Sequence, residues 1–389
     1  MVQITPAHPG TAATGLLGVV LLARHGDRLE FFQDPLTLNP TQSFLTPLGS
    51  VQEQQLGGFL KDTYLNPASD FFIEGISTDL ANINQLIVRA DAGGGGSVIL
   101  DSVQGLLQGL YPPTTDNNIT LANGTTVIAP LGGYQYIPVE SVEPNLDISL
   151  NSFTSCPNLD AHIATFFNSS GFLAEAAIAA PFLQQVEPLL VNRSNDFTNM
   201  FNIFDFINVQ MVHNATFLAL LPPTFGAQAY GFANFHENGI FTDTTIEGIG
   251  QIAIQTILPS IFTDLLSITN TSGPLKLALN EISYKPFISL FNVTQATAAD
   301  PQIAGIVDYA SVVALEVSLP PGTDTPLVTM KFKNGSTDPE FHTLSLFGTR
   351  GGIPITDFIN ALAPAAINNT QEWCTACNQT TLRGCSVFQ

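Results

Sequence analysis

Charge is what this chain has least of. Of 389 residues, 11 are Lys or Arg and 32 are Asp or Glu, so only 11% are charged. An ordinary globular chain carries about 25%. So few cations, with a formal net charge of −21, exclude the basic footprint that nucleic-acid binding requires. Long apolar runs are also missing. None reaches the ~18 residues of a spanning helix, so no membrane partner is expected. Cysteine is limited to four residues and tryptophan to one. No repeat of about 20–50 residues is present, which excludes a solenoid or propeller. Apolar residues are not lacking. At 45% hydrophobic the chain can build a real core, which excludes wholesale disorder. Its length allows two or three domains, or one large core with an insertion, at about 100–200 residues per domain.

Something other than charge must keep the surface wet. Asn-x-Ser/Thr sequons begin at Asn118, Asn123, Asn168, Asn192, Asn214, Asn270, Asn292, Asn334, Asn368 and Asn378. So many sequons in so uncharged a chain point to a secreted, extracellular glycoprotein carrying N-glycans. Cysteine usage agrees. Cys156 lies mid-chain, and Cys374, Cys377 and Cys385 sit near the C-terminus. The Cys374-x-x-Cys377 spacing allows zinc or redox chemistry, but this tail offers three thiols and no His, which falls short of a zinc ligand set. Two disulfides are expected, one within the tail and one tying it to Cys156; sequence alone does not choose among the pairings. No metal or other cofactor is implied. The apolar run Leu16 to Ala23 starts too late for a signal peptide, so the sequence reads as a mature form.

That run has no period, the pattern of a central parallel strand covered on both faces. It ends in Arg24-His25-Gly26-Asp27-Arg28. Thr46 is placed as an N-cap with Pro47 at the first helical position. Leu86-Ile87-Val88 predicts a second buried strand ending at Arg89. The glycine run Gly93 to Gly96 reads as a flexible loop, and a helix follows over Val98 to Leu110. From about Tyr111 the texture becomes rich in Pro, Asn and short helical stretches such as Leu173 to Leu190. Ile246 to Leu266 predicts one long helix, Leu275 to Leu279 a strand, and Phe287 to Phe291 a helix start. Ala310 to Leu319 and Leu327 to Lys333 predict paired strands. The expected fold is an α/β three-layer sandwich with a mainly parallel sheet, built from residues 1–110 and 245–389. A helical, loop-rich domain is inserted at 111–244.

The chemistry concentrates at Arg24-His25-Gly26-Asp27-Arg28. A strand end at the carboxyl edge of a sheet is where open α/β folds bind ligands. Guanidinium groups grip phosphate or carboxylate oxygens, and a neutral His between them can attack phosphorus. This pentapeptide resembles the signature of the histidine acid phosphatases, the phytase-like branch of the phosphoglycerate-mutase-like superfamily. Leu45-Thr46-Pro47-Leu48-Gly49 with Gln52, Leu56-Gly57 and Tyr64 resembles the family's second block. Ser102-Val103-Gln104 with Gln108-Gly109-Leu110 resembles its third. Ile246-Glu247-Gly248 through Leu319 follows its C-terminal half, and Trp373-Cys374 with Cys377 resembles secreted fungal members. The resemblance implies an active site between the α/β domain and a helical domain. It implies His25 as nucleophile, Arg24 and Arg28 as phosphate grips, and a small anionic ligand such as a phosphate ester.

The departures from that pattern are specific. The family's third arginine falls here on Ser97 or Val98. Arg89, upstream, is the candidate to approach the pocket instead. The family's late His-Asp pair falls on Tyr284 and Lys285, after Ser283. Glu30 stands where a proline is usual. The proton donor and two grips are therefore replaced, and a proton-transfer group is typically worth about 10²–10⁴ in rate. Glu281, Glu237 and His236 are candidates to replace the acid; His162, His213 and His342 read as structural. Three functions remain open: phosphate-monoester hydrolysis through a phosphohistidine on His25 with an altered proton donor, a catalytically inactive relative that binds an anion or carbohydrate, and non-phosphate chemistry in the same pocket.

Overall fold

The computed structural model describes residues 15–31, 34, 36–37, 43–93, 97–270 and 272–388. Gly94 to Gly96 of the glycine run lie outside the described residues. Leu16–Arg24 is the central strand. It pairs parallel with Leu277–Ile282 and antiparallel with Val312–Ser318. Leu86–Asp91 lies parallel on the far side of Leu277–Ile282, and Glu140–Val142 parallel beyond it. Leu327–Lys333 and Ile353–Pro354 extend the other edge in antiparallel fashion. The fold is therefore α/β with a mixed sheet, parallel where the ends of Leu16–Arg24, Leu277–Ile282 and Leu86–Asp91 meet and antiparallel at one edge.

Alternation along the central strand divides the core. Val19, Leu21 and Ala23 face one layer and Val20 and Leu22 the other. The first layer is covered by the helices Pro47–Leu60 and Val98–Leu110. Thr46 caps the former as the sequence predicts, its side chain accepting from Gly49 N with Pro47 in the first turn. These two helices touch backbone to backbone. A Cβ on Gly57 would lie 1.9 Å from the Leu106 carbonyl oxygen, and one on Gly109 would lie 2.0 Å from that of Gln54. Gly57→Ala is expected to destabilise the fold by about 1–3 kcal/mol through overpacking. A urea midpoint equal to that of the wild type would contradict this contact.

The other layer holds the inserted helices, among them Ser170–Val186, Met200–His213 and Phe225–Ile240. The expected boundary at 111 needs adjustment. Glu140–Val142 belongs to the main sheet, and Tyr111 and Ile137 sit in the first layer's core. Tyr111, Ile137 and Glu140–Val142 thus lie with the sheet, whereas the hairpin of Asn118–Thr120 and Thr126–Ile128 between them is exposed. The long helix predicted over Ile246 to Leu266 is broken into Ile249–Gln251, Ile252–Gln255 and Leu258–Thr269. Pro259 cannot supply the N–H that would continue the helix from Gln255. The joined segment Ile249–Thr269 is long and apolar enough by length and composition to cross a membrane, contrary to the sequence expectation. Here Ile252, Ile254, Ile257, Ile261 and Leu265 spend that apolarity in the core. Disulfides join Cys156 to Cys377 and Cys374 to Cys385, the arrangement of one bond within the tail and one to Cys156. The Trp373 indole beside them is buried and donates to the Ser152 carbonyl at 2.9 Å.

Candidate functional site

Strand register assembles the site. Arg24 pairs with Ile282, and Ala90 pairs with Glu281. The three parallel strands therefore end level with one another. His25, Ser283 to Lys285, and Asp91 with Gly93 all emerge at one carboxyl edge. His25 N–H donates to the Ile282 carbonyl at 3.3 Å. The loop after it is fastened to the neighbouring helices. Gly26 N–H donates to Ser102 Oγ at 3.1 Å and Asp27 N–H to Gln52 Oε1 at 2.8 Å. A Cβ on Gly26 would fall 2.6 Å from the Gly49 carbonyl oxygen, so glycine is required there by the close approach. The second and third sequence blocks thus act as clamps on the first.

His25 is buried and its Nδ1–H donates to the Gly26 carbonyl at 2.9 Å. That bond fixes the tautomer and leaves Nε2 without a hydrogen bond among the described residues. Burial, reinforced by the Arg24 and Arg28 charges, holds the imidazole well below its ordinary value, so it is neutral. A neutral ring with a free Nε2 is a competent nucleophile.

The two arginines are committed elsewhere. Arg28 forms an ion pair with Asp205 at 2.9 Å, both side chains nearly fully buried, and donates to the Leu29 carbonyl at 2.9 Å. Burial opposes its charge, but Asp205 outweighs it and raises the guanidinium further. Asp205 comes from the inserted helix Met200–His213 and also accepts from Phe31 N at 2.7 Å. Arg24 donates to the Val307 carbonyl and stacks on Tyr309, 4.3 Å from the ring centroid, and on Tyr284 at 5.3 Å. It lines a separate cavity of about 410 Å³ with Asp205, Tyr230, Asp308 and Tyr309.

His25 and Arg28 open instead into a cavity of about 280 Å³ that also takes in Asp91, Ser283, Tyr284 and Lys285. Of Ser97 and Val98, the two candidates for the third-arginine position, Val98 is an apolar wall of it. Tyr284 is buried and its hydroxyl donates to Glu237 Oε2 at 2.5 Å. Glu237 Oε1 lies 2.8 Å from His236 Nδ1, and His236 Nε2 lies 3.1 Å from the Thr198 carbonyl. Burial, with the Glu237 charge, pushes the Tyr284 hydroxyl well above its ordinary value, which makes it a poor acid. Lys285 is half-buried, and its Nζ lies 4.8 Å from the Phe153 ring centroid and 4.7 Å from that of Tyr284.

Two sequence candidates lie elsewhere. Arg89 sits one pleat back from the strand end and is held by Glu140 at 2.9 Å and Asp147 at 3.3 Å, lining a different cavity. It does not reach His25's cavity, which corrects that expectation. Glu281 is turned below the sheet, fully buried and away from the cavity. Among the replacement acids weighed, Glu237 and His236 do lie in or beside the site. His213, read as structural, donates to Asp27 Oδ2 at 2.7 Å and ties the helix to the loop. Asp205, Asp91 and Asn151 carried no motif in the sequence and emerge only from packing. Among the described residues no group of acidic, His or Cys side chains is arranged to hold a metal.

No family model matches the sequence, and no curated protein does. Solved structures do match in fold. The phytase from Citrobacter braakii superposes with a TM-score of 0.63 at 13% identity, over 92% of this chain and 99% of that one. The Hafnia alvei phytase in complex with tartrate gives 0.60 at 10%, over 95% and 99%. The multiple inositol polyphosphate phosphatase of Bifidobacterium longum in complex with phosphate gives 0.51 at 12%, over 94% and 96%. The chain has the two-domain α/β fold of these phytases, the fold that the sequence resemblance implied.

Proposed function

We propose that this chain is a secreted histidine-acid-phosphatase-like glycoprotein whose His25 cleft binds a small ligand and has lost efficient phosphate-monoester hydrolysis. The observation that carries the reading is the buried Arg28–Asp205 ion pair at 2.9 Å. A transferring phosphoryl group needs uncompensated positive charge aimed at its oxygens. Here one guanidinium is neutralised, the other stacks on tyrosines, and an uncharged residue, Ser97 or Val98, stands at the third position. Apolar and aromatic side chains form much of the wall, among them Ile99, Phe153, Ile163, Phe201 and Phe241. That lining favours a small, largely apolar ligand with one polar group. Secretion is supported by the paired cysteines. Eight of the sequon asparagines are exposed, whereas Asn292 and Asn334 are half-buried. The side chains of those two accept hydrogen bonds from Gln251 and from Ser311.

A second reading, hydrolysis through a phosphohistidine on His25, is favoured by the free, neutral Nε2. Steady-state turnover of p-nitrophenyl phosphate and phytate at acid pH separates the two. We expect the wild type and His25→Ala to be indistinguishable. A rate abolished by His25→Ala, at any level above background, would establish the second reading.

A further inference from the structure

Lys285 is an amine inside the cavity with no conventional partner. It opens the helix Lys285–Val293. Its Nζ makes no hydrogen bond or ion pair among the described residues; its contacts are aromatic rings. Phe201 and Phe241 complete the ring of aromatics at 5.9 and 6.0 Å. Two carboxylates share the cavity with it, Asp91 and Glu237. Asp91 is held in place by two neighbours that also line the cavity, accepting from Gly93 N at 2.7 Å and from Asn151 Nδ2 at 3.0 Å. Glu237 is occupied by Tyr284 and His236.

We propose that Lys285 captures a small aldehyde or ketone with an apolar or aromatic body as an imine. This rests on the reading that the cleft admits a small, largely apolar ligand, and it names the ligand's reactive group. The Nζ lone pair adds to the carbonyl carbon while the C=O π pair moves to oxygen. That oxygen takes one proton from nitrogen, giving a carbinolamine. Asp91 protonates the hydroxyl, water leaves as the N–C bond becomes double, and the remaining N–H proton returns to Asp91. The balance is amine plus carbonyl to imine plus water, with no redox change. The iminium stage carries the charge that the ammonium carried, and the same rings and Glu237 face it. Burial supports the chemistry at both groups. It lowers Lys285 to about 8 and raises Asp91 to about 6, so amine and acid are both available near neutrality.

The test treats the intact protein with benzaldehyde and sodium cyanoborohydride at pH 7, which delivers hydride to the imine carbon and leaves a stable secondary amine. Peptide mapping then compares Lys285 with Lys61, Lys276, Lys331 and Lys333. Lys285 is expected to be labelled at least ~10-fold faster than the others, because burial lowers its amine toward the assay pH and the cavity holds the aldehyde beside it. Its labelling rate is expected to rise with a half-point near pH 8, and Lys285→Arg should fold and lose the fast adduct. Labelling of Lys285 no faster than of Lys61 and Lys276 overturns the proposal. Benzyl alcohol, the same body without the carbonyl, separates the two readings. If it raises the melting temperature but Lys285 is not labelled, imine capture fails and the apolar pocket stands. If it neither binds nor any Lys285 adduct forms, both fail.

Discussion

Asp205→Asn is expected to lower the melting temperature by on the order of 10 °C and to turn inorganic phosphate into a stabilising ligand. Asp205 faces Arg28 at 2.9 Å with both side chains nearly fully buried. Removing one partner of a buried ion pair leaves an uncompensated charge and costs about 3–5 kcal/mol. Each kcal/mol shifts the midpoint of a large domain by roughly 2–4 °C. The amide can still accept from Phe31 N, so the loop's backbone contact at 2.7 Å is retained. What is lost is the negative charge, and a phosphate oxyanion beside His25 can replace it. Ligand present at about 100 times its Kd stabilises by about 2.7 kcal/mol. Thermal melts with and without phosphate read both effects. A variant as stable as the wild type and indifferent to phosphate would show that Asp205 does not occupy the anion's place.

The second large effect is with pH. Glu53 and Glu281 are fully buried, and among the described residues none of their carboxyl oxygens has a hydrogen-bond partner. Burial pushes both well above the ordinary range, and the charge of Glu281 adds to the effect on Glu53. Burial also raises Asp91 and Asp264 to about 6. An acid whose folded value is raised binds its proton more tightly in the native state. Its stabilisation is complete below the unfolded value and is lost as pH rises through the folded one. For Asp91 and Asp264 that window runs from about pH 4 to about pH 6, and raising a carboxyl over it corresponds to about 3 kcal/mol each. Glu53 and Glu281 extend the loss to higher pH. His25, lowered by burial and the two arginines, acts in the opposite sense and removes stability as pH falls below 6.5. Asp308 and Glu316 are raised by burial as well, while Lys285, lowered to about 8, joins His25 on the opposing side near the top of the range; the raised carboxyls outnumber both and leave the protein most stable in acid. Melting temperatures should therefore fall steadily between pH 4.5 and 8. Glu281→Gln should flatten that slope, with little change at pH 4.5. A wild-type melting temperature that rises over the same interval contradicts the burial of these groups as acids.

Much of the fold was legible because it rests on local pattern. The unbroken apolar run Leu16 to Ala23 could only be a strand covered on both faces, and Thr46-Pro47 marked a helix start with its own cap. The tail cysteines likewise announced a link to Cys156. What failed did so for non-local reasons. The segment Ile246 to Leu266 has a helical period throughout, and a single proline decides where it breaks. Glu140–Val142 is too short and polar to read as a strand, and joins the sheet only because Leu86–Asp91 offers it a free edge. In the site, the aligned positions Tyr284 and Lys285 do share the cavity with His25. Asp205 could not be found from sequence. It sits in an apolar helical stretch some 180 residues after Arg28, and only the packing of the inserted domain brings the two together. Arg89 misled because its strand was right and its partners, Glu140 and Asp147, lay outside any motif.

The most direct measurement looks for phosphate on His25 itself. The protein is incubated with p-nitrophenyl phosphate at acid pH, quenched in alkali, where phosphohistidine survives, and the peptide containing His25 is examined by mass spectrometry. An unmodified His25 is expected, because Arg28 is held by Asp205 and Arg24 is stacked on Tyr309 and Tyr284. Phosphate found on His25 would contradict this, and would mean that the cleft still transfers phosphoryl groups despite every replacement around it.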